Sequence, residues 1–278
     1  ERADAIDELY DYLGAKLPVS FGEKMAAWRK FATLFNIRTH ARNFFANLAY
    51  VGVRNVDSAI ATGLELMAVK LNWMEPEERA AAFGWRCTAH GQQILETIKE
   101  RVPEAVLEMT GRGAKYEETS NPLMRHRKMH YTKWVEYLDD FNSSWLERED
   151  VFFFKAAYIN ALGQVMTARK ATKVTDEMHA IAMKRALEAT FRNKNVLSRV
   201  LSVPKRGLTS DDWKIRHLAQ VYDVVLPFVN TPAAIMEQTA MHSPIGLAVG
   251  FADLVGKALG KSDKAAADII NDFAKGIH

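Results

Sequence analysis

Apolar residues in this chain recur every three or four positions, and that period restricts what it can fold into. The clearest instance follows Thr209-Ser210-Asp211-Asp212, where Ile215, Leu218, Tyr222 and Val225 stand at steps of three, four and three. Side chains so spaced share one face of an α-helix, whereas a strand would need strict alternation. The acids at 211 and 212 suit a helix start, where carboxylates accept from the free N–H groups of the first turn. Pro227 suits the end, because it lacks the N–H that a continuing helix requires. Met25, Trp28, Phe31, Leu34 and Phe35 make a second stripe, opened by Ser20-x-x-Glu23, a capping-box spacing. The same spacing at Ser144-x-x-Glu147 predicts a helix start leading into Val151-Phe152-Phe153-Phe154 and on through Tyr158, Leu162 and Val165. Pro76 and Pro103, each followed by glutamate, are expected in first helical turns, where a missing N–H is tolerated and an acid suits the dipole. Alternating runs bounded by Asn-Gly or Asp-Gly turns are absent. The expected fold is therefore all-α, an irregular multi-helix bundle of about ten to twelve helices with no substantial β-sheet.

Residues 1–242 are expected to form the main helical domain, with a seam at the glycine-bearing loop 111–121, and residues 243–278 a C-terminal helical extension. In that extension Gly246-x-x-x-Gly250 and Gly256-x-x-x-Gly260 carry the small-residue spacing that lets helix backbones approach closely. Asp253 and Lys257 interrupt its apolar run, so it reads as a closely packed terminal helix and does not comfortably span a bilayer. The alternative is an amphipathic helix that contacts a membrane surface through 243–277. The chain opens at Glu1, without methionine, and closes at His278, and is expected to be a portion of something longer.

The chemistry the residues offer is sparse. A single cysteine, Cys87, rules out a disulfide framework and a Cys-based zinc cluster within the chain. His90 stands three residues on, but a free cysteine in a helical protein is usually a small buried hydrophobe. There is no nucleophile elbow, phosphate loop or dinucleotide fingerprint. His126 and His130 have chelate spacing, yet Arg127 and Lys128 between them would repel a metal ion. No catalytic, cofactor-binding or metal-binding residue is assigned, no cofactor is expected, and the chain reads as more a non-enzyme than an enzyme. The net charge of +3 conceals an uneven distribution. Residues 125–133 carry Arg125, Arg127, Lys128 and Lys133 without an acid, and 184–206 carry seven bases against Glu188 alone. Arg125, Arg127, Lys128, Arg192, Lys194, Arg199, Lys205 and Arg206 are the candidates for non-specific DNA contact through phosphates; the commoner reading of such runs is an ordinary charged surface.

Two passages stand out together: Asn36-Ile37-Arg38-Thr39-His40-Ala41-Arg42-Asn43-Phe44-Phe45-Ala46-Asn47, and Leu146-Glu147-Arg148-Glu149-Asp150-Val151-Phe152-Phe153-Phe154-Lys155. With Leu226-Pro227-Phe228-Val229-Asn230-Thr231-Pro232-Ala233-Ala234-Ile235 and His242-Ser243-Pro244-Ile245-Gly246 downstream, their order resembles the helical domain of large polyvalent proteins of bacteriophages and conjugative elements. The resemblance runs over roughly residues 30–278 and departs at Ala234, where the family pattern has asparagine. It implies a mobile genetic element context: a virion protein, packaged and delivered with DNA during ejection, located in the virion or, after delivery, in the host bacterial cytoplasm. Its partners would be other domains of a longer polyprotein-like chain, copies of itself or other virion proteins. The function expected is a non-enzymatic structural and interaction module; the alternatives are an undetected enzyme acting on peptidoglycan or nucleic acid, or a membrane-associating domain.

Within these passages Thr39, Asn43 and Asn47 form one polar stripe, with Arg38 and Arg42 beside it. Glu147 and Asp150 share another face, next to Arg148. Arg38 or Arg42 is expected to pair with Glu147 or Asp150, making this set a structural polar motif and not a catalytic site.

Overall fold

The computed structural model describes residues 8–10, 12–14, 16, 18–19, 21–111, 133–193, 196–226 and 229–277. It is all-α, with no strand among the described residues, as the three-and-four spacing requires. The helices are α1 (Phe21–Leu34), α2 (Ile37–Lys70), α3 (Ala89–Gly111), α4 (Lys133–Ala168) and α5 (Asp176–Ala189). They continue as α6 (Val196–Leu201), α7 (Trp213–Val225), α8 (Asn230–Met241), α9 (Pro244–Ala258) and α10 (Ala266–Ile277). Short 3-10 turns at Pro76–Glu78, Trp85–Cys87 and Pro204–Thr209 link some of them. Loop 111–121 lies, from residue 112 on, outside the described residues.

Local signals are borne out at several ends. The Asp212 carboxylate accepts from the Lys214 N–H at 2.8 Å and caps α7. Pro76 opens a 3-10 turn, as its free N-terminal position allows. Two other expectations are corrected. Pro103 lies inside α3, where it faces water; the carbonyl it leaves without a partner can be hydrated, while Ile98, Ala105 and Met109 hold the opposite face in the core. Ser144 and Glu147 begin nothing, because α4 runs unbroken through both and the pair stands exposed on its surface.

The chain divides into two compact units assembled from alternating segments. The first comprises Glu1–Asn43, Gly113–Glu149 and Lys194–Ala233. Its α1 packs on α7, which also packs on the Pro204–Thr209 turn, and the Arg29 guanidinium donates to the Val224 carbonyl. Phe31 is buried between Trp28 and Phe35, with ring centroids 5.5 and 5.1 Å away. The stripe that identifies α7 is not the face it buries: Ala219 and Asp223 are buried, whereas Leu218 is 73% and Val225 64% exposed. Asp223 is committed to an ion pair with Lys205 at 2.9 Å, and that pair turns the helix.

The second unit comprises Phe44–Arg112, Asp150–Asn193 and Ala234–His278, and it holds a continuous core. Phe154, Tyr158, Leu162 and Met166 of α4 meet Ile98 and Met109 of α3, Met183 of α5 and Ile270 of α10. The C-terminal helices are part of this core. Gly246 and Gly250 bring α9 against α10: a Cβ on Gly250 would fall 2.9 Å from the Phe273 Cα, and one on Gly276 only 2.2 Å from the Leu247 nitrogen. The first small-residue pair thus serves helix packing within a protein core.

Glycines in this unit should respond to alanine in opposite directions. Gly276→Ala has no room and is expected to destabilise by about 1–3 kcal/mol, through overpacking against backbone. Gly63→Ala, within α2 and with open space at its Cβ, should stabilise by about 0.5–1 kcal/mol through helix propensity. Urea titrations of both proteins check the sign and size.

Candidate functional site

The second unit contains a cavity of about 340 Å³ whose polar walls come from helices that the apolar period alone would assign to packing. On α2 the lining residues Asn47, Tyr50, Arg54 and the adjacent Asp57 and Ser58 follow one another at steps of three or four, so they share one face. On α4 the residues Phe153, Ala157, Asn160 and Gln164 do the same. Arg185 of α5 and Asn271 of α10 complete the enclosure, with Arg86 of the Trp85–Cys87 turn beside them. Several of these groups are fixed from behind. Gln164 donates to the Ser58 hydroxyl at 3.0 Å, and the Trp85 indole donates to Asn160 at 2.9 Å. Asp57 is held by His242 at 3.0 Å, and this bond raises the imidazole above its ordinary value despite partial burial.

Charge is the feature that sets this cavity apart. Glu188 lies between Lys275 at 3.4 Å and Arg54 at 3.6 Å, joining α5, α10 and α2. Burial alone would raise its carboxyl, but Lys275 and Arg54 overcome that and bring it down to about 2. Burial opposes the charged form of Arg54 as well, yet Tyr50, Glu188 and Asp57 outweigh it and leave the guanidinium above its usual value. Arg185 differs. Burial pulls it below its ordinary value, Glu65 pulls it up, and Arg54 pushes it down again. It is 5% exposed, and one nitrogen, Nη1, donates to the Ala80 carbonyl at 2.6 Å. Among the described residues its Nε and Nη2 have no hydrogen-bond partner, and no carboxylate lies within ion-pair distance of it. An unpaired buried donor costs about 1–3 kcal/mol, and more when charged.

The residues singled out in the sequence have separate fates. Asn47 is buried and lines the cavity. Asp150 is buried and ion-paired with Arg192 at 2.7 Å, so a motif acid meets a base from the basic run. Glu147 and Arg148 are exposed on α4. The side chains of Arg38, Thr39, Arg42 and Asn43 lie outside the described residues, as do Arg125, Arg127, Lys128 and Lys194. Lys205 is paired with Asp223, while Arg199 and Arg206 are exposed. Cys87 is exposed, at the end of its turn. Among the described residues no three His, Cys, Asp or Glu side chains converge in metal-binding geometry, and no helix is long and apolar enough to cross a membrane.

One arrangement has the look of a relay: the Tyr158 hydroxyl lies 2.7 Å from His179 Nδ1, and His179 Nε2 lies 3.2 Å from Glu108. Tyr158 is fully buried, and burial pushes its phenol up to about 12, so no substrate reaches it and it does not ionise at neutral pH. The chain satisfies the polar ends of core side chains.

Sequence reasoning overlooked Arg54, Asp57 and Arg185. The signal was present on α2, where Arg54 and Ser58 continue the Asn43-Asn47 stripe at steps of seven and four. On α5 there was none, since Arg185 lies in a basic run and only the packing of Glu65 sets it apart. Comparison with protein-family models, curated proteins and solved structures finds no match to this chain.

The depressed Glu188 carboxyl links stability to acid. Its contribution is complete above its ordinary pKa of 4.5 and is lost as pH falls through its folded value of about 2. Wild-type stability should therefore drop between those limits. Glu188→Gln should lose about 3 kcal/mol at neutral pH, by removing the acid beside Arg54 and leaving Lys275 with Asp272 alone, and should fall less steeply in acid. Denaturation curves at pH 7, 4 and 2.5 decide it; parallel losses in both proteins would contradict the assignment.

Proposed function

We propose that this chain is a non-enzymatic helical interaction module of a polyvalent protein from a bacteriophage or conjugative element, packaged with and delivered alongside DNA. The observation that carries the interaction role is the first unit's exposed apolar surface. On α4 Trp134, Tyr137, Phe141 and Trp145 stand at steps of three, four and four, and each is at least 55% exposed. On α7 the stripe of Leu218 and Val225 is likewise turned to solvent. Monomeric proteins rarely leave aromatic ladders of this length in water, because each ring removed from solvent contributes about 2–3 kcal/mol. Aromatic side chains are also those enriched at the centres of protein interfaces.

The occupant we assign is the same ladder on a second copy. A stripe with helical period on one long helix is self-complementary under a two-fold axis, and its rings can interdigitate as they do in helix pairs. The mobile-element setting rests on the ordered motif set from residue 36 to residue 246. Peptides of this chain in purified virions, or transfer genes beside its reading frame, are the findings expected of that setting. Absence of both would remove it.

Sedimentation velocity over about 1–100 µM tests the interaction role at the affinities typical of such contacts. The wild-type chain should sediment faster as concentration rises. A variant with Trp134, Tyr137, Phe141 and Trp145 all changed to serine should stay monomeric with the same circular dichroism. A wild-type monomer throughout, or self-association unaffected by the variant, would refute it.

A further inference from the structure

We infer that the cavity of the second unit is a binding site for a small organic phosphomonoester. Arg185 carries the argument. A guanidinium keeps its proton at any accessible pH, so this group is a permanent cation at 5% exposure. Among the described residues its one hydrogen bond runs from Nη1 to the Ala80 carbonyl, leaving Nε and Nη2, the adjacent pair that forks onto an oxyanion, without partners there. The nearest balancing acid, Glu65, is occupied: its carboxylate accepts from the Ala80 N–H at 3.1 Å and the Ala81 N–H at 2.9 Å, and stands 3.7 Å from Arg79. Arg54 lines the same cavity, with its Nη1 engaged by Glu188 at 3.6 Å.

The charge and size of the walls narrow the ligand. Among the lining charges Arg54 is offset by Glu188 and Asp57 is held by His242, which leaves Arg86 and Arg185 as a surplus of two cations. A phosphomonoester dianion matches that surplus, and paired guanidiniums suit its oxygens. The cavity is several times larger than a bare phosphate requires, and it falls within the range of small-molecule sites. The remaining space is flanked by Val51, Phe153 and Ala157, with the amides of Asn47, Asn55 and Asn160 at its edges. An apolar or aromatic body with polar edges fits there, which points to an organic ester in preference to the free ion. The inference is independent of the apolar stripes of the first unit.

Isothermal titration calorimetry of the full chain tests it, with inorganic phosphate, nucleoside monophosphates, sugar phosphates and the matching unphosphorylated nucleosides and sugars as probes. At least one monoester should bind with a Kd below about 1 mM, with its unphosphorylated parent and inorganic phosphate each at least about tenfold weaker. Arg185→Met should abolish that binding while preserving the helical spectrum. Because Arg185 also touches the Ala80 carbonyl, Arg86→Ser is the second variant; Arg86 is exposed at the cavity, over the Trp85 ring, and its loss should weaken the same ester by about fivefold or more. No binding by any monoester up to about 10 mM, parent compounds binding as well as their esters, or both variants binding like wild type would each overturn the site. Inorganic phosphate binding as tightly as every ester would overturn the organic body.

Discussion

Glu65 is a carboxylate taken wholly out of water, and the second unit is organised by how its charge is used. It accepts from consecutive backbone N–H groups at Ala80 and Ala81, and this closes the segment after α2 over the core. Burial raises its carboxyl, while those two bonds, Arg185 and Arg79 pull the other way. Its short bonds go to these backbone donors, it stands 3.7 Å from Arg79, and among the described residues it forms no ion pair with Arg185. Arg185 is drawn inward by Glu65 and the Ala80 carbonyl, lines the cavity, and keeps two buried nitrogens without a hydrogen-bond partner among the described residues.

The two units solve the same packing problem differently. In the second, alanines at 61, 161, 182, 186, 266 and 274 let helices approach closely around a few large side chains, and ionic groups close the margins. In the first, the described residues expose more large apolar side chains than they bury. Its α7 turns a committed ion pair inward and its apolar stripe outward, since an unpaired buried Asp223 or Lys205 would cost more than an exposed leucine. That inversion leaves the larger apolar side chains of α7 in water.

Much of the architecture was readable in advance. Period and caps identified α1, α7 and the all-helical class, because helix geometry is local and each turn's needs are written within four residues. Pro103 and the Ser144-x-x-Glu147 pattern misled for one reason: capping signals and prolines describe what a residue tolerates, while burial of a helix's other face decides whether the helix stops there. Of the polar motif, Asn47 was marked by its stripe, and Asp150 has a partner that is distant in sequence. Its observed partner, Arg192, lies 42 residues on, and no local spacing encodes such a pairing.

By itself, the sequence determined that the chain is helical, where α1 and α7 begin, and that Gly246 and Gly250 would admit another backbone, all properties of residues within a turn or two of one another. Tertiary structure decided which faces those helices bury, because amphipathic stripes compete with buried ion pairs for the interior. It also decided that Arg54 and Arg185, far apart in sequence and ordinary in type, line one cavity. The electrostatic character of that cavity depends on where Glu65 and Glu188 direct their charge, and distances in folded space set that direction.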